Sequence, residues 1–122
     1  MPKKILIVDD SSMIRSIVSK SAKKAGYEVI AASDGQEGLD KLELERDINL
    51  ILTDINMPVM DGMEMIKNIK NNDEIKYIPI VILTTETQKK MKEQARNLGA
   101  KAWMVKPFNE EVFLKAMMKL IG

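Results

Sequence analysis

The stretch that decides the fold is NLILTDINMPVMDG, residues 49–62. Its first four residues, 49–52, form a short apolar run with polar flanks, which predicts a strand buried on both faces. Asp54 stands where that strand should end, and Pro58 followed by Asp61-Gly62 is typical of a loop that leads into a helix. In open α/β sheets, ligands bind in the crevice beyond the carboxyl ends of the strands. Asp54 is therefore a candidate site residue, although a plain turn aspartate is the commoner explanation for one such residue.

Four further apolar runs predict strands, at residues 5–8, 29–32, 80–83 and 102–105. A segment with apolar residues at helical spacing follows each of the five strands. Strands that alternate with helices in this way predict an α/β fold, in which a parallel sheet carries helices on both faces with right-handed crossovers. The chain is thus expected to be a single (βα)5 domain over residues 1–122 with no output domain.

The five predicted helices have recognisable ends. Ser11 or Ser12 is expected to cap the first helix and Asn109 the last, while Gly26 and Gly99 stop the first and fourth. The residues expected on the inner faces are Ile14, Ile17, Val18, Ala22 and Ala25 in the first helix, Leu39 and Leu42 in the second, Met63, Ile66 and Ile69 in the third, Met91, Ala95 and Leu98 in the fourth, and Val112, Phe113, Ala116, Met117, Leu120 and Ile121 in the fifth.

The composition excludes several kinds of site. The chain has no cysteine and no histidine, which rules out disulfides, thiol catalysis, a Ser-His-Asp triad and a histidine phosphoryl carrier. Any metal must be held by oxygen, which favours magnesium, manganese or calcium. The net charge is +1, and no apolar run approaches the length of a membrane span, so neither nucleic acid nor a membrane is an expected partner. A cysteine-free chain without a signal peptide fits the cytoplasm.

Polar residues end four of the five strands. They are Asp9-Asp10, Asp54, Thr84 and Lys106. Because consecutive parallel strands all end on the same side of the sheet, these side chains should converge on one crevice. Each has an ordinary explanation alone, such as helix capping or exposure to solvent. Their joint occurrence indicates a site with three carboxylates, a hydroxyl and an ammonium.

The charges of this site indicate its chemistry. Three clustered carboxylates disfavour one another's ionised forms, and a single lysine offsets only part of that charge. A hard divalent cation would neutralise most of the rest. Such a site could stabilise phosphoryl oxygens, with Lys106 and Thr84 supplying a charge and a hydrogen-bond donor, while one carboxylate acts as a nucleophile.

The sequence resembles a response-regulator receiver domain of two-component signalling over its whole length. The residues that carry the resemblance are Asp9-Asp10, Asp54, Met57-Pro58, Gly62, Thr84 and Lys106-Pro107-Phe108. The motifs around Thr84 and Trp103 look most like those of single-domain regulators of chemotaxis. The resemblance implies a flavodoxin-like sheet with strand order 2-1-3-4-5.

The resemblance also implies a role for each site residue. Asp54 would accept a phosphoryl group from the phosphohistidine of a sensor histidine kinase. Asp10, Asp54 and the backbone carbonyl of Asn56 would bind Mg2+, with Mn2+ as the alternative ion, directly, and Asp9 would act largely through water. Lys106, joined to Pro107 by a cis peptide bond, would bind a phosphoryl oxygen. The chain would catalyse only its own phosphorylation and dephosphorylation.

A switch and an output surface follow from the same resemblance. Thr84 would move towards the phosphoryl group and Trp103 would turn inward with it, although tyrosine or phenylalanine is commoner at that position. Asn56 and Glu86 would tune the phosphoryl lifetime. The target, such as a flagellar motor switch, would bind the face formed by the fourth helix, fifth strand and fifth helix, and a phosphatase is possible. The candidates on that face are Gln88, Lys89, Met91, Lys92, Trp103 and Met104.

Three other functions could use a carboxylate at this position. A phosphorelay intermediate would pass the phosphoryl group from Asp54 to a histidine on another protein. A hydrolase of the dehalogenase-like type is disfavoured because Asn56 stands where that class has its second aspartate. A calcium loop that starts at Asp54 is disfavoured because Val59 occupies the position that requires glycine.

Overall fold

A computed structural model describes residues 2–122. The strands are β1 (Lys4–Val8), β2 (Glu28–Ala32), β3 (Leu50–Thr53), β4 (Ile80–Thr84) and β5 (Ala102–Val105). The helices are α1 (Ser12–Lys24), α2 (Gly35–Leu44), α3 (Gly62–Lys70), α4 (Lys89–Asn97) and α5 (Glu110–Ile121). All neighbouring strands are parallel, and their order in the sheet is β2-β1-β3-β4-β5, which confirms the predicted fold.

The sheet buries apolar residues on both faces. Alternate residues of the central strands point to opposite sides, as the period of two in a strand requires. Leu6, Ile51 and Ile82 pack on the side of α2, α3 and α4. Ile7 and Leu52 pack with residues of α1 and α5 on the other side. Every residue of β3 is buried, which confirms the expectation for this strand.

The register brings the carboxyl ends of the strands level. Val8 of β1 pairs with Thr53 of β3, and Thr84 of β4 pairs with Val105 of β5. Asp9 follows Val8 and Asp54 follows Thr53, so the two aspartates leave the sheet at the same height. This alignment assembles the crevice that the sequence predicted.

The helix ends confirm two predicted caps and settle an open choice. The side chain of Ser11, rather than that of Ser12, accepts the N–H of Ile14 at 3.2 Å. Asn109 accepts the N–H of Val112 at 3.0 Å. Such caps satisfy backbone donors that the first turn of a helix leaves free.

Three residues expected on inner faces lie towards solvent. Ile17 is 44% exposed and Val112 is 48% exposed, and Ala25 is the exposed C-cap of α1. For Ile17 and Val112 the reason is geometric, since each directly precedes the buried i, i+4 row of its helix and is turned about 100° away from it. Met65, which the sequence analysis did not assign, is fully buried on α3. Within residues 2–122, no helix combines the length and apolarity needed to cross a bilayer.

Candidate functional site

Three carboxylates meet at the carboxyl edge of the sheet. Asp9 and Asp10 follow β1 and Asp54 follows β3, and one carboxylate oxygen of each lies within 4.8 Å of the others. Asp9 and Asp54 are buried, whereas Asp10 is exposed. Because the buried carboxylates are far from bulk water, they need partners that favour the charged form.

The carboxylate of Asp54 is held from two sides. Its Oδ1 atom accepts the backbone N–H of Ile55 at 2.6 Å and that of Asn56 at 3.4 Å. Its Oδ2 atom accepts a hydrogen bond from the ammonium of Lys106 at 2.8 Å. These donors fix the direction of the carboxylate towards the crevice, and they satisfy the charge that burial would otherwise leave unsolvated.

Lys106 connects two of the three carboxylates. Its Nζ atom lies 2.9 Å from Oδ2 of Asp9 and 2.8 Å from Oδ2 of Asp54. Burial of the ammonium opposes its charge, but the hydrogen bonds and charges of Asp54 and Asp9 outweigh this and raise the pKa of Lys106 above its ordinary value. The side chain is therefore a stable cation. Its peptide bond to Pro107 is cis, as the resemblance implied.

Thr84 reaches the crevice edge but does not join the carboxylate cluster. It is fully buried, and its Oγ1 atom accepts the N–H of Glu86 at 3.2 Å. Its backbone carbonyl accepts the N–H of Lys106 at 2.8 Å, which ties β4 to the lysine. The side chain of Glu86 is itself engaged locally, accepting the N–H of Gln88 at 3.0 Å.

Trp103 lies on the same face of the sheet as Thr84. It pairs with Ile82 across β4 and β5, and Ile82 is two residues before Thr84 on the same strand. Its ring packs partly buried beneath α4. Within residues 2–122 its indole N–H is buried without a hydrogen-bond acceptor, which leaves the ring with an unsatisfied donor.

Gly62 holds the loop after β3 against Asp54. Its N–H donates to the carbonyl of Ile55 at 2.8 Å, and a Cβ at this position would lie 2.2 Å from the backbone oxygen of Asp54. The sequence motif indicated a turn here but not this close approach. In the same loop Val59 has a φ of 66°, a left-handed conformation that is unfavourable for a β-branched residue.

Arg15 is a site residue that the sequence analysis missed. Its Nη1 atom donates to the backbone carbonyl of Asp9 at 2.6 Å. The arginine lies six residues after Asp9 and on the second turn of α1, so its side chain can reach back over the start of the helix. A long basic side chain at that spacing from the paired aspartates was the available signal.

The donor set fits a hard divalent cation. Three carboxylate oxygens lie within 4.8 Å of one another, and the chain contains no histidine or cysteine that could add a nitrogen or sulfur ligand. Magnesium prefers a few carboxylates together with water, and the exposure of Asp10 leaves the cluster open to solvent on one side.

The comparison with known families agrees with this geometry. The model of the response regulator receiver domain matches residues 5–118. This chain belongs to the response regulator receiver family. It is 36% identical over 120 residues to the chemotaxis protein CheY1 of Helicobacter pylori, covering 98% of this chain and 97% of that protein.

Other receivers are similar in sequence and structure. The polar-differentiation response regulator DivK of Brucella anthropi is 33% identical over 122 residues, covering 100% of this chain and 98% of that protein. The solved structure of the chemotaxis protein CheY4 of Vibrio cholerae aligns with a TM-score of 0.92 and 43% identity, covering 99% of this chain and 100% of that chain. These similarities agree with the assignment of this chain to the receiver family, and the names of the similar proteins include more than one cellular role.

Proposed function

We propose that this receiver is a phosphorylation-controlled switch in which Asp54 accepts the phosphoryl group. The observation that carries the proposal is the convergence of Asp54, Asp9 and Lys106, joined by ion pairs of 2.8 and 2.9 Å, at the carboxyl edge of the sheet. A carboxylate placed beside a stable cation and two further carboxylates has both the nucleophile and the charges that phosphoryl transfer requires.

The proposed reaction transfers the phosphoryl group of a kinase phosphohistidine to Asp54. A carboxylate oxygen of Asp54 attacks the phosphorus, the bond between phosphorus and the imidazole nitrogen breaks, and the product is an acyl phosphate. Lys106 then lies where its ammonium can balance the negative charge of the phosphoryl oxygens. Hydrolysis of the acyl phosphate by water returns Asp54 to its carboxylate form.

We propose that Asp10, Asp54 and the backbone carbonyl of Asn56 hold Mg2+ directly, with Asp9 acting through water; Mn2+ has the same ligand preference. When bound, the ion supplies positive charge to phosphoryl oxygens. Asp9 already accepts the N–H of Ser11 at 2.9 Å through Oδ1, which fixes its carboxylate near the cluster. Because the chain has no cysteine, it depends on no disulfide and suits a reducing compartment. We therefore place this reaction in the cytoplasm.

The proposed switch consists of Thr84 and Trp103. The hydroxyl oxygen of Thr84 accepts a hydrogen bond within its own loop, which leaves its O–H to be donated to a phosphoryl oxygen. Trp103 shares the sheet face with Thr84 and holds an unsatisfied indole N–H, so its position is not fixed by a hydrogen bond. Phosphorylation would then shift an existing equilibrium between two arrangements. The side chains of Asn56 and Glu86, at the rim, would tune the phosphoryl lifetime.

The proposed output surface is the face of α4, β5 and α5. A groove of about 550 Å³ runs between α4 and Trp103. Its charged lining residues are Lys89, Lys92, Arg96, Lys101 and Glu93. Four cations against one anion favour a target segment that carries carboxylates. Gln88, Met91 and Met104 extend this face.

Similarity to the chemotaxis proteins CheY1 and CheY4 supports a target in chemotaxis or the flagellar motor. A phosphatase is a further candidate partner.

A phosphorelay role is the second candidate. What leaves room for it is that the full-length relatives are not confined to chemotaxis, since DivK is named as a polar-differentiation response regulator. In that role Asp54 would pass its phosphoryl group to a histidine on another protein. Transfer of labelled phosphate from the purified receiver to a histidine phosphotransfer domain would support this role, and retention on Asp54 until hydrolysis would contradict it.

The single tryptophan provides a direct test of the switch. Trp103 fluorescence is followed while Mg2+ and then beryllofluoride are added to wild type and to Asp54→Asn. We expect a Mg2+-dependent change with beryllofluoride in wild type that the variant lacks, and an acyl phosphate on Asp54 by mass spectrometry after treatment with acetyl phosphate. Labelling of another residue, or none of Asp54, would overturn the proposal.

A further inference from the structure

Arg15 stands next to the carboxylate cluster without contacting any carboxylate. We propose that Arg15 is a positioning residue for the metal site, because it fixes the peptide that links Asp9 to Asp10. The inference rests on the proposed function, which places a divalent cation at this cluster. Arg15, a residue of α1, would thereby contribute to metal binding.

The main chain of Asp9 is held at both of its polar atoms. Its N–H donates to the carbonyl of Ala32 at 3.1 Å, which extends the pairing of β1 with β2 by one residue. Its carbonyl accepts the 2.6 Å hydrogen bond from Nη1 of Arg15. A charge-assisted bond of this length in a partly buried position is among the stronger single contacts that a protein makes. The orientation of the Asp9–Asp10 peptide therefore depends on Arg15.

Asp10 needs this support more than its neighbours do. Both carboxylate oxygens of Asp9 and of Asp54 have partners: Ser11 and the backbone after Asp54 donate to the Oδ1 atoms, and Lys106 contacts both Oδ2 atoms. Over residues 2–122, the carboxylate of Asp10 makes neither a hydrogen bond nor an ion pair. Its position is set by the backbone on which it stands, and one end of that backbone is the peptide that Arg15 holds.

Two effects of Arg15 on a bound cation have opposite signs. Its positive charge repels a metal ion, so removing the charge alone would tighten binding. Its hydrogen bond orients the peptide that carries a ligand, so removing the bond would weaken binding. Partners that orient metal ligands typically change affinity by about 10- to 100-fold. The direction of the change on mutation thus separates positioning from simple electrostatics.

The test is a titration with Mn2+, in which the free ion is counted by its electron paramagnetic resonance signal and displaced by Mg2+. Arg15→Met keeps most of the aliphatic side chain and removes the donors, and Arg15→Lys keeps the charge and one donor. Lys20→Met is the matched control, because it removes one cation from an exposed position of the same helix. We expect weaker binding by about tenfold or more in Arg15→Met, partial recovery in Arg15→Lys and no change in Lys20→Met.

Several outcomes would overturn the inference. Unchanged or tighter binding by Arg15→Met, with urea unfolding showing a folded protein, would mean that the arginine acts by charge or not at all. If Arg15→Met does not fold, Arg15→Lys decides, since affinity equal to that of wild type, instead of the partial recovery expected, would mean that the arginine acts by the charge that lysine keeps. Treatment with acetyl phosphate separates the two proposals: if Arg15→Met binds Mn2+ as wild type does while Asp54 of the wild type still forms an acyl phosphate, the inference fails and the proposed function stands, whereas absence of the acyl phosphate on Asp54 would overturn the proposed function itself.

Discussion

The ammonium of Lys106 donates a 2.8 Å hydrogen bond to Oδ2 of Asp54, across 52 positions of sequence. The bond joins the ends of β5 and β3, two strands that are separated in the sheet by β4. A change in the charge of Asp54 therefore acts directly on Lys106 at the end of β5, the strand that also carries Trp103. The same contact explains why the lysine is a stable cation in the receiver.

Replacing Lys106 by alanine should separate metal binding from switching. The Lys106→Ala variant retains Asp9, Asp10 and Asp54, so we expect it to bind Mg2+ at least as tightly as wild type. It lacks the cation that links the phosphoryl group to β5, so the response of Trp103 fluorescence to beryllofluoride should disappear. A normal fluorescence response in this variant would show that the ammonium is not coupled to the switch.

The stability of the receiver should depend on Lys106 in a defined pH range. The hydrogen bonds to Asp54 and Asp9 raise the folded-state pKa of Lys106 above 10.5 despite its burial. A raised pKa gives stability that is fully present below the unfolded value and is lost as the pH rises through the folded value. Removing one partner of a buried ion pair costs about 3 kcal/mol. Lys106→Met should therefore lower the free energy of unfolding by about that amount at neutral pH, and the difference should shrink above about pH 10.5.

Urea unfolding of the two proteins at several pH values measures this difference. Lys20→Met, which removes a lysine from the exposed side of α1, controls for the titration of lysines in general. A difference that grows with pH above about 10.5 would contradict the expected sign, because it would require the ammonium to be less favoured in the folded state.

Adding one methyl group at Gly62 should disturb the site through the backbone of Asp54. A Cβ there would lie 2.2 Å from the backbone oxygen of Asp54, so either the loop or Asp54 must move. We expect Gly62→Ala to lose about 3 kcal/mol of unfolding free energy and to be phosphorylated more slowly by acetyl phosphate. Gly26→Ala is the control, because alanine is strained at its φ of +97° but no atom lies within 4 Å of the new Cβ. Gly26→Ala should lose stability without a change in phosphorylation.

The strained backbone at Val59 offers a route to a more stable receiver. Val59 is 82% exposed and has a φ of 66°, so its side chain gains little from burial while its backbone is unfavourable. Asparagine tolerates this conformation, so Val59→Asn should raise the free energy of unfolding by about 1 kcal/mol. Val59→Ala removes the β-branch but has no polar side chain that can hydrogen-bond locally, so it should recover less. A urea midpoint for Val59→Asn at or below that of wild type would contradict this explanation.

Much of the fold followed from local sequence. The runs at residues 5–8 and 80–83 are apolar enough to predict buried strands, and both lie within the observed β1 and β4. The Asn109 cap was predictable, and the first cap was narrowed to Ser11 or Ser12, because a cap needs only its own first turn. The inner faces of the helices were less predictable. Ile17 and Val112 have the spacing of core residues, yet the neighbouring elements do not cover them.

Sequence alone determined which residue types end each strand, because alternation, apolar runs and turn residues are properties of neighbouring positions. It thereby brought Asp9, Asp54 and Lys106 to one edge of a parallel sheet. Only the tertiary structure decided that Lys106 bonds both carboxylates, that the hydroxyl of Thr84 bonds elsewhere, and that Arg15 holds the carbonyl of Asp9. These contacts depend on strand register and on side-chain directions between segments far apart in sequence, and no local pattern carries that information.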